Sequence, residues 1–352
     1  MAEQFHRENH FVAKVYFKPW ETANGKIWSY RILVPHANVP IWKEASKKGL
    51  AKHAHLYTQT AVGVESDAVE RWFADEFESP AQQPLYRATH DQRLSRDDWK
   101  RIINFAAAQD VRTPAWFAQR MEQWDKSLPG LMKETMEQSL RRYEEAKRTG
   151  EPLVGVPRLP DAEREGLPLR TFVRRSPTGG GEIGAEIVIG RQYWLWAIKR
   201  SLTRNMRVLH QHHWTIVKPP EGTIWFTSDN PVIRLNYLGK NNYNFNGGWN
   251  SPGTRIYLPL GPQHLLYTCV GSRPPLRGQR STVEQAEFVR RIVAEHASRM
   301  IFANAPDDEV PVLRPRTVDP AAVKHERDQW ASWHEQQLAA EEGPPTETIV
   351  AT

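Results

Sequence analysis

The hydrophobic pattern divides the chain into a mainly helical first half and a strand-rich second half. After a β-prone opening over residues 9–34, apolar residues recur at helical spacing from Ser66 and again from Ser95, and Pro114 favours the start of a third helix. Short β-prone runs separated by turn signals follow over residues 214–270. This order predicts an α+β fold, with the helical first half packed on a mainly antiparallel, β-rich second half.

Two segments depart from this pattern. Residues 150–185 are rich in proline and glycine, which predicts a loosely ordered insert. Beyond residue 311 the chain turns polar, and its end resembles a solvated tail. We therefore expect a single α+β domain over residues 1–310 and a polar, partly disordered C-terminal tail over residues 311–352.

Composition narrows the class of protein only slightly. No apolar run approaches the roughly 18–20 residues that a membrane span needs, and the first residues show no signal-peptide pattern. The single cysteine, Cys269, cannot form an internal disulfide, so a cytoplasmic location is expected. The net charge of +6 is compatible with a nucleic acid or another polyanion as partner but does not require one.

The segment from Trp225 to Val232 is the most informative stretch of the chain. An apolar run leads into Asp229 and Asn230, which favour turns, and then into Pro231, which cannot continue a central strand. A carboxylate and an amide are thus expected on a loop held by a rigid element, where active-site groups are often found. The triplet from residue 228 to 230 matches the SDN motif of serine β-lactamases, but the chain has no SxxK motif to supply their nucleophile.

The spacing of two glutamates in the first predicted helix suggests a metal-binding site. Glu70 and Glu78 are eight residues apart, a little over two turns, and are expected to share one face. Together with a histidine and an aspartate from elsewhere they would form an oxygen-rich site suited to Mg²⁺ or Mn²⁺, which could activate a water and neutralise a phosphate. The alternative is that these glutamates pair with Arg71, Arg87 or other surface cations.

Gln109 and Arg112 lie at a predicted helix end, just before Thr113 and Pro114. An arginine at such a position can bind a carboxylate or a phosphate through two parallel hydrogen bonds. It can equally tie the helix end to Glu70 or to Asp229. The sequence leaves both roles open.

Two histidine clusters contain side chains that can bind a metal ion: His210-Gln211-His212-His213 and His53-Ala54-His55. No second cluster of cysteine or histidine lies at zinc-finger spacing from either one. The sequence therefore favours hydrogen-bonding roles for these histidines.

Several short motifs together resemble a bacterial family known only as domain-of-unknown-function family 4238. In order they are Asn9-His10-Phe11 with Tyr16, Leu56-Tyr57-Thr58, Val69-Glu70, Phe77-Glu78, Gln109-Asp110-Val111-Arg112-Thr113-Pro114, Thr227-Ser228-Asp229-Asn230-Pro231-Val232 and Leu258-Pro259-Leu260-Gly261-Pro262. The resemblance runs from about residue 9 to residue 305. One departure is visible, since Ala13-Lys14 stands where the family usually has a proline.

The resemblance implies a recurrent polar set, which falls here on His10, Glu70, Glu78, Gln109, Arg112 and Asp229, but it implies no settled activity. From the residues we expect a metal-dependent hydrolase, such as a nuclease or nucleotide phosphodiesterase, and the type of family that the chain resembles implies a bacterial toxin or defence context. The expected roles are metal binding for Glu70, Glu78 and Asp229, general base or ligand for His10, phosphate binding for Arg112, and orientation of water or substrate for Gln109 and Asn230. The alternative is a non-enzymatic module that binds protein or nucleic acid and whose polar set is a structural ion-pair network.

Overall fold

A computed structural model describes residues 5–61, 64–150, 168–175, 181–239 and 241–342. The chain forms two compact units, Met1–Trp116 with Ser201–His334, and Phe117–Arg200 with Glu335–Thr352. The second unit combines residues from within and beyond the range 1–310, and the single domain that the sequence predicts over that range stays a prediction.

The helical elements begin with a continuous helical segment made of α1, a π turn and α2. Their bounds are α1 Ala68–Phe73, the π turn Ala74–Glu78, α2 Ser79–Thr89, α3 Arg96–Val111, α4 Pro114–Thr149, α5 Arg191–Thr203, α6 Val283–His296, α7 Val310–Leu313 and α8 Pro320–Glu342, with 3₁₀ turns at Lys18–Trp20, Lys47–Gly49 and Asn205–Gln211.

The strands are short. Their bounds are β1 Glu8–His10, β2 Lys26–Arg31, β3 Leu33–Val34, β4 Trp42–Ser46, β5 Lys52–Ala54, β6 Gln59–Ala61, β7 Val64–Ser66, β8 Leu169–Arg175, β9 Gly181–Ile187, β10 Thr215–Val217, β11 Thr227–Ser228, β12 Ile233–Gly239, β13 Asn242–Asn244, β14 Thr254–Gly261, β15 His264–Cys269, β16 Met300–Ala303 and β17 Thr317–Val318.

Two antiparallel sheets organise the first unit. One has five strands in the order β10-β15-β14-β12-β13, and the other has four in the order β11-β16-β2-β4. Among the described residues, helices lie mostly in the first half of the chain and the strands of these antiparallel sheets mostly in the second half, so the α+β prediction is confirmed. The first strand of the four-stranded sheet to appear in the sequence, β2, comes from the β-prone opening that the hydrophobic pattern indicates.

The boundaries of α3 follow from local capping chemistry. Ser95 accepts a hydrogen bond from the backbone N–H of Asp98, and the Asp98 side chain accepts one from the backbone N–H of Ser95. At the other end, Thr113 accepts a hydrogen bond from the backbone N–H of Trp116 and starts α4, with Pro114 in its first position. The break that the sequence predicts at this point is therefore present, and it places Arg112 between two helices.

A π turn separates α1 from α2. It lies just before Pro80, whose nitrogen has no hydrogen to continue the helical pattern, and the N–H of Ser79 donates to the carbonyl of Ala74 five residues back. In an uninterrupted α-helix, Glu78 would lie about 80° around the axis from Glu70. Because a π turn holds more residues per turn, it removes much of this offset and aligns the two glutamates more closely than the spacing alone predicts.

The described parts of the predicted insert and tail contain regular structure. Residues 169–175 and 181–187 pair as the antiparallel strands β8 and β9, while residues 151–167 and 176–180 lie outside the described part of the chain. In the predicted tail, β17 pairs in parallel with β3, and α8 includes Trp333, which is 9% exposed. Residues 343–352 are not described, so disorder there stays a prediction.

Buried aromatic side chains connect the N-terminal segment to both sheets. Phe17 packs edge-on against Phe302 of the four-stranded sheet, with 5.1 Å between ring centroids. The hydroxyl of Tyr16 hydrogen-bonds to the Thr227 hydroxyl at 2.6 Å and donates to the backbone carbonyl of Pro259. Tyr16 thus joins the N-terminal segment to one strand of each sheet.

We expect Tyr16→Phe to lower the free energy of unfolding by about 1–3 kcal/mol, because it leaves buried polar partners on both strands without this hydroxyl. Urea denaturation followed by circular dichroism measures the change. Tyr86→Phe is the control, since Tyr86 is 49% exposed and its loss should change the value by less than about 0.5 kcal/mol. Equal stability of Tyr16→Phe and wild type would contradict the bridging role.

Candidate functional site

The informative segment from residue 225 to 232 is the point at which the chain passes from one sheet to the other. Thr227 and Ser228 pair with β16 in the four-stranded sheet, and from Ile233 the chain pairs with β14 in the five-stranded sheet. Asp229, Asn230, Pro231 and Val232 form the link between the two sheets. A proline suits this link because no strand partner needs its missing N–H.

Asp229 is buried and bonds to the main chain of the neighbouring turn. Its carboxylate accepts hydrogen bonds from the backbone N–H groups of Ser298 at 2.9 Å, Arg299 at 2.7 Å and Met300 at 3.1 Å. Burial raises the pKa of Asp229 to about 6, and the three N–H donors oppose the rise. This side chain fastens the start of β16 to the link between the sheets.

Asn230 extends the same link toward the helices. Its amide nitrogen lies 3.2 Å from Nε2 of His296, and its amide oxygen accepts from the Thr113 hydroxyl at 3.1 Å. Because Thr113 follows Arg112 directly, Asn230 connects the sheet link to the junction between α3 and α4. Burial lowers the pKa of His296 to about 4, so its ring is neutral at pH 7.

Arg112 is the centre of the polar set. Its side chain is 1% exposed, and its guanidinium donates to Oε1 of Glu78 at 2.6 Å and to the backbone carbonyl of His10. A second carboxylate, Glu70, lies 4.0 Å away. Arg112 thus binds carboxylates of the protein. Glu70 is a partner that the sequence suggests, Glu78 is the closer one, and Asp229, the other suggested partner, instead accepts backbone N–H groups.

Aromatic rings complete the surroundings of this guanidinium. Its central carbon lies 4.4 Å from the centroid of Phe73 and 5.7 Å from that of Tyr57, which allows cation–π attraction. The Tyr57 hydroxyl donates to the backbone carbonyl of Arg112 at 2.6 Å. Burial disfavours the charge of Arg112, but Glu78, Tyr57 and Glu70 raise its pKa above the ordinary value, so it stays charged.

Gln109 holds the N-terminal segment in place beside Arg112. Its side-chain oxygen accepts from the backbone N–H of Ala13 at 3.1 Å, and its side-chain nitrogen donates to the carbonyl of Phe11 at 2.7 Å. These two bonds fix the backbone that follows His10. Gln109 therefore has a positioning role here.

The titratable groups of the site have shifted pKa values. Burial raises the pKa of Glu70 to about 7, with Arg112 opposing the rise and Glu78 adding to it. Burial lowers the pKa of His10 to about 4, and the nearby charges of Lys14 and Arg112 lower it further. At neutral pH His10 is uncharged, whereas Glu70 exchanges a proton near that pH, which is the property of a general acid or base.

The structure brings five of the seven predicted site residues together and leaves Asp229 and Asn230 at the link between the sheets. Glu70, Glu78, Arg112 and the backbone of His10 adjoin one another, and Gln109 holds the same segment. In the described part of the chain, Asp229 does not join the glutamates in a group whose ligand atoms all lie within 4.8 Å of one another. The Mg²⁺ or Mn²⁺ site stays a prediction, and the counter-charge that the structure places between the glutamates is Arg112.

An open groove of about 910 Å³ runs beside this cluster, and Glu78 forms part of its wall. Its cationic lining residues are Lys14, Lys18 and Lys47. Lys18 and Lys47 share Glu21 as a carboxylate partner, at 3.2 and 2.6 Å. Lys14 is exposed and has no ion pair within 4.0 Å among the described residues.

Sequence reasoning missed the lysines and the aromatic rings of this site. The rings of Tyr57 and Phe73 lie in motifs or helical stripes that indicate a hydrophobic core equally well. The sequence does distinguish Lys14, because Ala13-Lys14 stands where the resemblance leads one to expect a proline. The structure shows that this departure adds an exposed cation to the groove.

These features define an α+β protein with an arginine-centred carboxylate cluster beside a lysine-lined groove. The chain belongs to the family described as protein of unknown function (DUF4238), which it matches over residues 8–307. This confirms the resemblance that the motifs indicate. No curated protein and no solved structure matches the chain. Among the helices of the described residues, none has the length and apolarity needed to cross a membrane.

Arg112→Met should lower the free energy of unfolding by about 3–5 kcal/mol, because it leaves two glutamates without their buried counter-charge. Guanidinium denaturation at pH 8 measures the loss. The triple variant with Glu70→Gln and Glu78→Gln added should recover part of it, since no carboxylate then remains unpaired. If the triple variant loses as much stability as Arg112→Met and the two glutamate substitutions lose in sum, Arg112 is not coupled to the glutamates.

Glu70 should make stability depend on pH. Between its ordinary pKa of 4.5 and its folded value of about 7, the folded protein holds a proton that the unfolded chain has released, so stability falls as pH rises through this window. Glu70→Gln removes this fall. Its free energy of unfolding relative to wild type should therefore increase by on the order of 1–2 kcal/mol from pH 5 to pH 8. Glu76→Gln, an exposed change on the same helical segment, should show no such trend.

Proposed function

We propose that this protein is a hydrolase that acts on a phosphodiester of a nucleotide or a nucleic acid, bound in the lysine-lined groove. The observation that carries the proposal is the position of Glu78, which lines the groove and at the same time binds the buried guanidinium of Arg112. A phosphate needs cations to hold it, and its hydrolysis needs a group that takes a proton from water. Both kinds of group meet in this groove.

The lysines support binding of the anionic part of the substrate. Lys14 has its charge available, and Lys18 and Lys47 share the single carboxylate of Glu21, so the three lysines carry more positive charge than their partner neutralises. Cations that line a concave surface raise the local concentration of an anion. The +6 charge of the chain acts in the same direction.

The two glutamates support the chemical step. Glu78 is the carboxylate at the groove, placed to orient and deprotonate a water. Glu70 lies near the same Arg112 guanidinium without lining the groove, and its pKa of about 7 lets it take up or release a proton near neutral pH. Arg112 keeps the charge of the pair compensated as protons move, and its fixed position preserves the geometry.

The proposal includes a metal ion bound by one protein residue, Glu78. Glu78 faces the groove and could bind Mg²⁺ or Mn²⁺ together with water and the phosphate of the substrate, as Mg²⁺ sites commonly use one or two carboxylates. The Asp229 carboxylate, by contrast, is occupied by three backbone N–H groups. Glu70 lies 4.0 Å from Arg112 and does not line the groove. A cytoplasmic location and a toxin or defence context also remain part of the proposal.

A specific observation favours the non-enzymatic alternative. Gln109, Arg112 and Asp229 all bond to main-chain atoms of other segments, as residues that hold a fold together do. In that case the groove binds a phosphate-bearing partner without cleaving it. Binding and hydrolysis must therefore be measured separately.

The test measures hydrolysis of bis(4-nitrophenyl) phosphate and of a single-stranded oligonucleotide, with Mg²⁺, with Mn²⁺ and with EDTA. Glu78→Gln should lower kcat on the order of 100-fold or more, the usual effect of losing an acid–base group. Lys14→Ala should raise KM and leave kcat close to wild type. Lys26→Ala is the matched control, because Lys26 is an exposed lysine outside the groove.

The outcomes separate the two candidates. Activity in wild type that falls in Glu78→Gln supports the hydrolase, and activity that disappears with EDTA adds the metal. Oligonucleotide binding that needs Lys14 but is accompanied by no hydrolysis supports the binding module. Hydrolysis equal in wild type and Glu78→Gln would exclude the proposed role of this residue.

A further inference from the structure

We propose that His55, Glu65 and His334 form a binding site for a transition-metal cation of the zinc class, which ties the last helix to the N-terminal half of the first unit. In the described part of the chain, these are the side chains whose metal-ligating atoms all lie within 4.8 Å of one another. The site shares no residue with the lysine-lined groove.

The distances fit coordination by one small ion. Nε2 of His334 lies 2.5 Å from Oε1 of Glu65, and Nδ1 of His55 lies 3.9 Å from Oε2 of the same carboxylate. Ligands of a tetrahedral zinc ion lie about 3.4 Å from one another when each bond is about 2.1 Å. A metal would take the place of the direct histidine–glutamate hydrogen bond, with small movements of the side chains.

The donor atoms select the class of metal. Two imidazole nitrogens and one carboxylate oxygen suit zinc and its neighbours, whereas Mg²⁺ and Ca²⁺ prefer oxygen ligands alone. Three protein ligands leave the fourth tetrahedral position to water. This chemistry differs from that of the Mg²⁺ or Mn²⁺ site that the sequence predicts around Glu70.

The backbone at His55 is an independent sign of a constrained site. His55 has a φ of +56°, in the left-handed region that residues other than glycine rarely adopt. Its backbone N–H donates to the carbonyl of Arg7 at 2.7 Å, which holds the conformation. Strained backbone of this kind persists where the surrounding structure imposes it, and it concentrates at ligand sites.

Aromatic packing brings the two histidines into contact before any metal binds. The rings of His55 and His334 stack with 3.9 Å between centroids and 16° between planes. One turn earlier in α8, Trp330 packs on His53 of β5 at 4.1 Å. Because each imidazole lone pair lies in the plane of its own ring, binding of one ion by both histidines requires the rings to tilt out of this stack.

The experiment titrates Zn²⁺ into chelator-treated full-length protein by calorimetry at pH 7.5. Wild type should bind one equivalent at this site, and His55→Gln, Glu65→Gln and His334→Gln should each weaken binding at least tenfold. His325→Gln is the matched control, because His325 is an exposed histidine on the same helix, and it should bind as wild type does.

Thermal denaturation gives a second readout. Zn²⁺ at about a hundredfold excess over its Kd should raise the Tm of wild type and of His325→Gln by roughly 2–5 °C, with little effect on the three ligand variants. Binding that is unchanged by all three ligand substitutions, or no saturable binding, would overturn the proposal.

Co²⁺ titration of the wild type keeps the test decisive if a ligand variant fails to fold. A tetrahedral site should give visible d–d bands that one equivalent of Zn²⁺ abolishes. Bands of octahedral Co²⁺ alone would contradict the three-ligand site.

Discussion

The charge of one buried arginine is the constraint on which the candidate site depends. Arg112 has 1% of its surface exposed, so its guanidinium must find compensation within the protein. The compensation comes from two glutamates of one helical segment, a backbone carbonyl of the N-terminal segment and two aromatic rings. Elements far apart in sequence are thereby fixed around one point. The same charge keeps carboxylates near the groove, where the pKa of Glu70 rises to about 7.

The polar residues that the resemblance implies have different physical tasks. Asp229 and Gln109 satisfy backbone groups, and their bonds position β16 and the N-terminal segment. Glu78, by contrast, is open to the groove, where a ligand can reach it. Because the polar set includes both kinds of residue, residue type alone does not distinguish a structural role from a catalytic one.

Two sites with different chemistry emerge on the first unit. The groove offers lysines and a carboxylate, which suit a phosphate, whereas the cluster at His55, Glu65 and His334 offers nitrogen donors, which suit zinc. The second site depends on α8, a helix within the segment that the sequence predicts to be a polar, partly disordered tail. A polar composition made that segment resemble a tail, but buried Trp333 anchors it.

The sequence by itself determined the elements whose causes are local. The capping box at Ser95, the break before Pro114 and the order of helices and strands all follow from neighbouring residues, and the family motifs identified the membership. Only the tertiary structure decided which partner each charged residue has, because those partners lie tens to hundreds of residues away. Arg112 was equally suited to a phosphate or a glutamate, and Asp229 to a metal or to backbone N–H groups. The distances between side chains in the folded protein, which residue type and spacing do not encode, determine these partners.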